Sequence, residues 1–247
     1  MVLAAVATLV GASVASATGF GFALILSPAM FAALEPEEAV TTLLVLGLAL
    51  NLLMLFGRGG RPDAIRWRAI SPMLVAALPG LGTGVLLLAL MSKPVLQIGV
   101  GACVLAAALV QARPAARGAR ESREPALGSA CAVGLASGAL ATSTTVSGPP
   151  LVLWLQAHGV PPEEFRASLA ASFLGLTVAG GAILVAGGMF SFDPAVVVPL
   201  LGLTLVGQIA GERAFRGLDA TRLRVAVLAL ALAAGVGSLA AGVAGLA

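Results

Sequence analysis

The fold of this chain is decided by a segment that occurs twice: residues 11–45, GASVASATGFGFALILSPAMFAALEPEEAVTTLLV, and residues 134–171, GLASGALATSTTVSGPPLVLWLQAHGVPPEEFRASLAA. Each copy is an apolar stretch interrupted by Gly, Ser and Thr. A proline follows, and then Pro-Glu-Glu begins another apolar stretch. Two copies of a broken hydrophobic segment are typical of membrane transporters whose substrate binds between internal repeats.

The composition places the chain in a lipid bilayer. Of its 247 residues, 59% are hydrophobic and 10% are charged, and the mean hydropathy is +1.05. Apolar runs cover residues 2–34, 39–56, 69–90, 95–112, 126–158, 167–190, 195–211 and 223–247. Most reach the roughly 20 residues that cross a bilayer. We therefore predict an all-α polytopic membrane protein, with lipid as its surroundings and no nucleic-acid partner, because the basic residues lie between the apolar runs.

The longest polar connection divides the chain into two halves. Residues 113–126 are rich in Arg and contain Pro, so we predict a membrane repeat over 1–112, a basic cytoplasmic linker over 113–126 and a second membrane repeat over 127–247. Residues 36–38 align with 162–164 at an offset of 126, and Gly80 and Gly84 align with Gly207 and Gly211 at an offset of 127.

The basic residues indicate that the two repeats are inverted. If all eight runs span the membrane, the basic residues divide eight against six between its two sides. If 126–158 enters and returns on one side, they divide thirteen against Lys93 alone, which the positive-inside rule favours. We expect each repeat to be a broken or re-entrant helical hairpin plus three transmembrane helices. The alternative is eight plain transmembrane helices in parallel repeats. The charges do not decide whether 2–34 spans or re-enters; its repeat relationship predicts re-entry.

We predict interruptions at Ser16 to Gly21 and at Thr142 to Pro150. These are the candidate binding sites, because non-helical backbone at membrane depth is tolerated only where it is buried in protein or lines a watery cavity. A half-helix that begins inside the membrane directs free N–H groups and the positive end of its dipole inward, which favours an anion. Close packing and interhelical hydrogen bonds are the alternative roles of such small and polar residues. The predicted substrate-binding residues are Ser16, Thr18, Gly19, Gly21, Ser27, Pro28, Thr142, Ser143, Thr144, Thr145, Ser147, Gly148, Pro149, Asn51, Thr177 and Gln208.

Other polar residues offer fewer functions. Arg166 flanks the helix after the second interruption, where it is either a topology signal or a guide for an anion at the cytoplasmic mouth. Cys103 and Cys131 have no His or Cys at ligand spacing, so we expect no metal and no cofactor. The sequence has no Walker-type motif for ATP hydrolysis. A passive anion channel is one alternative. An intramembrane serine hydrolase using Ser147 and His158 is another, which requires those side chains within hydrogen-bond reach.

The chain resembles the sulfite exporter TauE/SafE family of bacterial membrane proteins. The resemblance is carried by Gly19-Phe20-Gly21 with Pro28, by Ser147-Gly148-Pro149-Pro150, and by the helix starts at Pro36 and Pro162. It implies a multi-pass transporter of the bacterial inner membrane that moves sulfite, sulfoacetate or other small sulfur-containing anions. A homo-oligomer is compatible with it. The chain departs from the family's fuller Gly-Gly-Gly pattern at Phe20, Phe22, Thr144 and Thr145.

Overall fold

The computed structural model describes residues 1–57, 60–112, 127–214 and 220–246, which form ten α-helices and one short 3-10 helix, Pro62–Ala64, without any strand. The first half contains α1 (Val2–Thr18), α2 (Phe22–Ala33), α3 (Pro36–Phe56), α4 (Trp67–Leu90) and α5 (Lys93–Ala112). The second contains α6 (Leu127–Ser143), α7 (Gly148–Ala157), α8 (Pro162–Ala186), α9 (Pro194–Ala214) and α10 (Ala220–Ala244). The all-α prediction is confirmed, while the predicted linker 113–126 lies outside the described residues.

Helix length separates spanning helices from the parts of a broken hairpin. In the described residues, α3, α4, α8 and α9 are long and apolar enough to cross a membrane. The helices α2 and α7 have only 12 and 10 residues. At about 1.5 Å per residue they are shorter than the roughly 30 Å of hydrocarbon, so neither crosses it alone. The apolar stretches Lys93–Leu109 of α5 and Leu228–Ala244 of α10 are shorter than a full span.

The two halves exchange helices in their packing. The first helix of each half lies along the fourth helix of the other, α1 on α9 and α6 on α4. Glycines allow both close approaches, because a Cβ at these positions would fall on carbonyl atoms of the facing helix. The contacts are Gly80 and Gly84 with Leu135 and Ala139, and Gly207 and Gly211 with Leu9 and Ser13. The offsets of 127 and 126 that align the sequence halves also relate these two sets of contacts.

Ion pairs show that α3 ends beside the start of α8. Arg61 Nη1 lies 3.2 Å from Glu163 Oε2, and Arg66 Nε lies 3.3 Å from Glu164 Oε2. The backbone N–H of Arg66 also donates to Ser168 Oγ at 3.0 Å. Exposed pairs of this kind contribute little stability, but they place the loop after α3 against the first turns of α8. The two helices therefore run in opposite directions.

The starts of α3 and α5 meet at the other face of the molecule, where Lys93 Nζ lies 3.2 Å from Glu35 Oε1. The helix α10 packs along α5 with Gly242 against Pro94 and Gly101 against Leu239. The helices α5 and α10 are therefore antiparallel. It follows that α10 ends at the Lys93 face.

The buried apolar side chains form two clusters, and each cluster holds one hairpin. One combines α1 and α2 with α3 and α5, and the other combines α6 and α7 with α4 and α8. Phe20 and Met54 pack against both clusters. These two residues therefore mark the junction at which the hairpins meet.

Candidate functional site

A cavity of about 80 Å³ lies where the two interruptions meet. Its wall includes Gly19, Phe20 and Gly21 from the first interruption and Thr145, Val146, Ser147 and Gly148 from the second. The facing helices α3 and α8 complete it, with Gly47, Asn51, Phe173 and Thr177 among their contributions. When volume is counted as the space open to the centre of a water molecule, a cavity of only about 10–15 Å³ holds one water. The cavity is therefore large enough for several waters or for a small ion.

The first interruption is formed by glycines in the left-handed backbone region. Gly19 has a φ of 86° and Gly21 has a φ of 103°, which glycine adopts without a Cβ penalty. The N–H of Gly19 donates to Ala15 O at 2.8 Å and ends α1. Gly21 then precedes Phe22, the first residue of α2, and no side chain caps the new helix.

The second interruption places a threonine in the same backbone region. Thr145 has a φ of 62° and is the only described residue other than glycine with a positive φ. The offset of 126 makes it the counterpart of Gly19. A β-branched residue in this conformation is a genuine outlier. Ser147 precedes α7 without a side-chain cap bond, and Pro149 and Pro150 suit the first helical turn because their missing N–H groups would be unpaired there anyway.

The electrostatics of the cavity come from backbone rather than from charged side chains. None of the described residues that line it is ionisable. Both α2 and α7 begin at its wall, and the start of an α-helix carries roughly half a positive charge. Ser147 is only 7% exposed, and its hydroxyl has no hydrogen bond to any described residue. Asn51 donates Nδ2 to Gly47 O at 2.8 Å, which leaves its Oδ1 for the cavity.

Several predicted site residues use their hydroxyls within the protein instead, and they are absent from the cavity wall. The bonds join Ser16 to Ser13 O (2.8 Å), Thr18 to Val14 O (2.9 Å), Thr142 to Leu81 O (2.8 Å), Ser143 to Ala139 O (2.7 Å) and Thr144 to Leu140 O (3.1 Å). Most run from a hydroxyl to a carbonyl one turn earlier, the usual bond of Ser and Thr inside a helix.

The remaining predicted residues lie outside the cavity wall. Ser27 donates its hydroxyl to Thr144 O at 2.7 Å and so ties α2 to the second interruption. Pro28 lines a separate apolar groove beside α10. Pro149 is next to the cavity residue Gly148 but is outside the wall. Gln208 Nε2 donates to Glu212 Oε1 at 3.0 Å on α9, away from the wall.

Arg166 reaches the first interruption rather than the second. Its side chain is partly exposed, and Nη2 donates to Ser16 O at 2.6 Å in the last turn of α1. Its Cγ lies 3.2 Å from where a Cβ on Gly19 would stand. A cation suits the carbonyl end of a helix. Arg166 of the second half thus contacts the hairpin of the first half, beside the cavity.

Ser147 and His158 do not form a catalytic pair. They lie at opposite ends of α7, whose ten residues separate them by about 15 Å. His158 Nδ1 lies 2.7 Å from Trp154 O, and its ring stacks on Trp154 with 4.0 Å between centroids. The base that a serine nucleophile needs is therefore at the wrong end of the helix.

Sequence reasoning missed the apolar part of the cavity wall. Leu43, Leu44, Gly47 and Phe173 line it, but α3 and α8 are apolar on every side, so periodicity does not select one face of them. The repeat offset of 126 was the available signal, because it pairs Asn51 with Thr177 and Gly47 with Phe173. All four of these residues line the cavity.

The comparison with known families covers both hairpins. The sequence profile described as Sulfite exporter TauE/SafE matches residues 3–238. The chain belongs to the TauE/SafE family. It is accordingly a multi-pass membrane protein of a transporter family, and the resemblance seen in its sequence is confirmed. No curated protein and no solved structure matches the chain.

Proposed function

We propose that the chain is a secondary transporter of the bacterial inner membrane that binds a small, sulfur-containing anion in the cavity between the starts of α2 and α7. One observation carries this proposal. Two helix starts without side-chain caps, one from each hairpin, lie on a single cavity, and no described residue of its wall has an ionisable side chain. Such a cavity attracts an anion through backbone N–H groups and dipoles.

The charge of the cavity suits one negative charge. Each helix start supplies roughly half a unit of positive charge, so two supply about one. A cation would meet the wrong ends of both helices. The hydroxyls of Ser147 and Thr177, which have no hydrogen-bond partner among the described residues, provide further donors to an anion without adding a fixed charge. A monoanion is therefore held without a buried lysine or arginine, whose own desolvation would be costly.

The two halves act as inverted repeats in this proposal. Support comes from the opposite directions of α3 and α8, which the pairs Arg61–Glu163 and Arg66–Glu164 require. Parallel repeats would orient these equivalent helices the same way. Exchange of first and fourth helices between the halves is also what a two-fold axis in the membrane plane produces. Transporters built in this way alternate access by moving one repeat against the other around a fixed site.

Transport by the purified protein in liposomes tests the proposal. We expect saturable uptake of labelled sulfite or of a short sulfonate, accelerated by unlabelled anion inside. A passive channel would give flux that does not saturate and is not accelerated by internal anion. Absence of flux above empty liposomes for every sulfur anion, from folded protein, would overturn the proposal.

A pair of serine variants locates the site within the same assay. Ser147→Ala removes a hydroxyl at the cavity, and because hydrogen bonds to charged groups contribute about 1.5–3 kcal/mol, we expect KM to rise roughly tenfold or more. Ser172→Ala is the matched control. Its buried hydroxyl donates to Ser168 O at 2.7 Å in α8, outside the cavity wall. Equal effects of the two substitutions would place the anion elsewhere.

A further inference from the structure

We propose that the cavity contains an apolar subsite around Gly47, and that this subsite receives the short carbon substituent of an organic sulfonate. The inference rests on the proposed function and narrows its substrate class. The preferred substrate is then an amphiphilic monoanion, with its sulfonate at the helix starts and its carbon group against α3. Bare sulfite is the poorer substrate.

The space at Gly47 is the first observation. Gly47 lies in the middle of α3 and lines the cavity, and a Cβ built on it would meet no atom within 4 Å. Its backbone is helical, so no left-handed turn requires glycine there. Glycine is also a poor residue for a helix interior compared with alanine. Gly47 therefore leaves an open position in the wall of the cavity, and a small apolar group of a ligand has room there.

The polarity of the wall is the second observation. Among the described lining residues, only four side chains carry a polar group, namely Asn51, Thr145, Ser147 and Thr177. The hydroxyl of Thr145 donates its hydrogen to Thr144 O at 2.6 Å. The turn before Gly47 presents Leu43 and Leu44 to the cavity. An inorganic oxyanion has oxygens on most sides and would leave some of them against hydrocarbon, which is unfavourable without hydrogen bonds. An amphiphilic anion matches both parts of the wall.

The difference between the two halves is the third observation. The offset of 126 equates Gly47 with Phe173 and Phe22 with Gly148. In the second half, the Phe173 ring packs over the start of α7, with Cζ 3.5 Å from where a Cβ on Gly148 would stand. In the first half, the ring belongs to Phe22 at the start of α2, and α3 has a glycine where α8 has phenylalanine. The position on α8 that is equivalent to Gly47 is therefore filled by a ring, whereas Gly47 leaves its position on α3 open. The small cavity volume limits the substituent to a short one.

A size series at Gly47 tests the subsite. We would measure uptake of sulfite, methanesulfonate, ethanesulfonate and propanesulfonate by liposomes containing wild type, Gly47→Ala or Gly47→Val. The matched control is Gly82→Val. Gly82 also lies in a helix with nothing within 4 Å of its Cβ position, but it is outside the cavity wall. Thermal unfolding of each variant in detergent with each anion adds a binding readout that does not depend on flux.

The expected result is selectivity for size. Wild type should prefer methanesulfonate or ethanesulfonate to sulfite. Gly47→Val should raise KM for ethanesulfonate about tenfold more than for sulfite, which is the scale of one methylene group in a fitted pocket. Gly47→Ala should give a smaller change in the same order, and Gly82→Val should change neither KM.

Two other results have distinct meanings. If wild type binds or transports these anions but the Gly47 variants affect all of them equally, or not at all, the subsite is wrong and the transporter stands. If no anion produces flux or a thermal shift with folded wild type, the proposed function fails and the subsite fails with it.

Discussion

Thr145 has a backbone conformation that its side chain disfavours. Left-handed backbone costs an L-residue roughly 1–2 kcal/mol, and a β-branched residue is among the least suited to it. The surrounding contacts maintain the conformation. Ser27 holds Thr144 O at 2.7 Å, and Thr145 Oγ1 donates to the same carbonyl. Residues held in this way tend to occur at functional sites, where the strain is part of the mechanism.

Replacing Thr145 with glycine should separate stability from transport. Thr145→Gly removes the left-handed penalty and adds flexibility to the unfolded chain, so we expect the free energy of unfolding to stay within about 1 kcal/mol of wild type. Transport should fall, because the second interruption loses its fixed geometry at the cavity. Thermal unfolding and uptake would be measured side by side. A loss of several kcal/mol would contradict the view that Thr145 is strained.

A glycine pair tests the first interruption. Gly19→Ala and Gly188→Ala each introduce a Cβ at a positive φ, 86° and 68° respectively, and should each cost about 1–2 kcal/mol of stability. Only Gly19 lines the cavity, and only there would the Cβ press on Arg166. Uptake should therefore fall in Gly19→Ala and persist in Gly188→Ala. Equal transport by both variants would show that the first interruption is not part of the binding site.

Arg166 acts through the end of α1. Arg166→Lys retains a cation but loses the guanidinium that reaches Ser16 O, and Arg166→Ala loses both. Because charge-assisted hydrogen bonds contribute about 1.5–3 kcal/mol when largely desolvated, and this side chain is partly exposed, we expect about 1 kcal/mol of lost stability for Ala. Uptake of anion should decrease in the order wild type, Lys, Ala. If uptake by Arg166→Ala equals that of wild type, the contact between Arg166 and Ser16 O has a structural role only.

At the scale of the helix, the sequence predicted where each hairpin breaks but not the last helical residues. The expected interruptions began at Ser16 and Thr142, whereas α1 continues to Thr18 and α6 to Ser143. Several hydroxyls predicted to face a substrate instead donate to carbonyls of their own helices, as Thr18 does to Val14 O. Ser and Thr can bond either the backbone or a ligand. Composition alone does not choose between those partners.

The sequence alone also does not decide which polar residues of the spanning helices face the cavity. Sequence reasoning proposed Asn51, Thr177 and Gln208 together, and the structure brings the first two to the cavity. Gln208 pairs with Glu212 along α9 instead. Helices that are apolar all round give no amphipathic signal, so the face that each residue occupies depends on tertiary packing. The repeat offset selects Asn51 and Thr177 because they are counterparts.

Close helix packing should be equally sensitive in both halves. Gly84→Val in α4 and Gly211→Val in α9 each direct a side chain at the backbone of the facing helix, so we expect each to destabilise the protein by about 1–3 kcal/mol, or more if the helices separate. Gly82→Val, with open space at the same helix, is the control. Thermal unfolding in detergent measures all three. Tolerance of one glycine variant but not the other would show that the two interfaces are not equivalent.

For the whole molecule, the ion pairs predict the membrane orientation of the chain. Arg61 and Arg66 lie at one face and the end of α10 lies near Pro94 at the other. The positive-inside rule puts the first face in the cytoplasm and the carboxyl terminus outside. A C-terminal reporter that fluoresces only in the cytoplasm should stay dark, while a periplasm-active reporter should function. A bright cytoplasmic signal would contradict the inverted arrangement.

The exchange of first and fourth helices also constrains how the protein is made. Ser13 of α1 donates to Gly207 O of α9, a contact that joins residues 194 positions apart. When α1 leaves the ribosome, the surface that it will occupy has not yet been synthesised. The nascent first hairpin must therefore remain in the membrane or its insertion machinery, with the face of α1 that packs on α9 uncovered, until almost the entire chain has been translated. Assembly is complete only after the last helices have been made, and a chain that stops before α9 lacks the surface on which α1 packs.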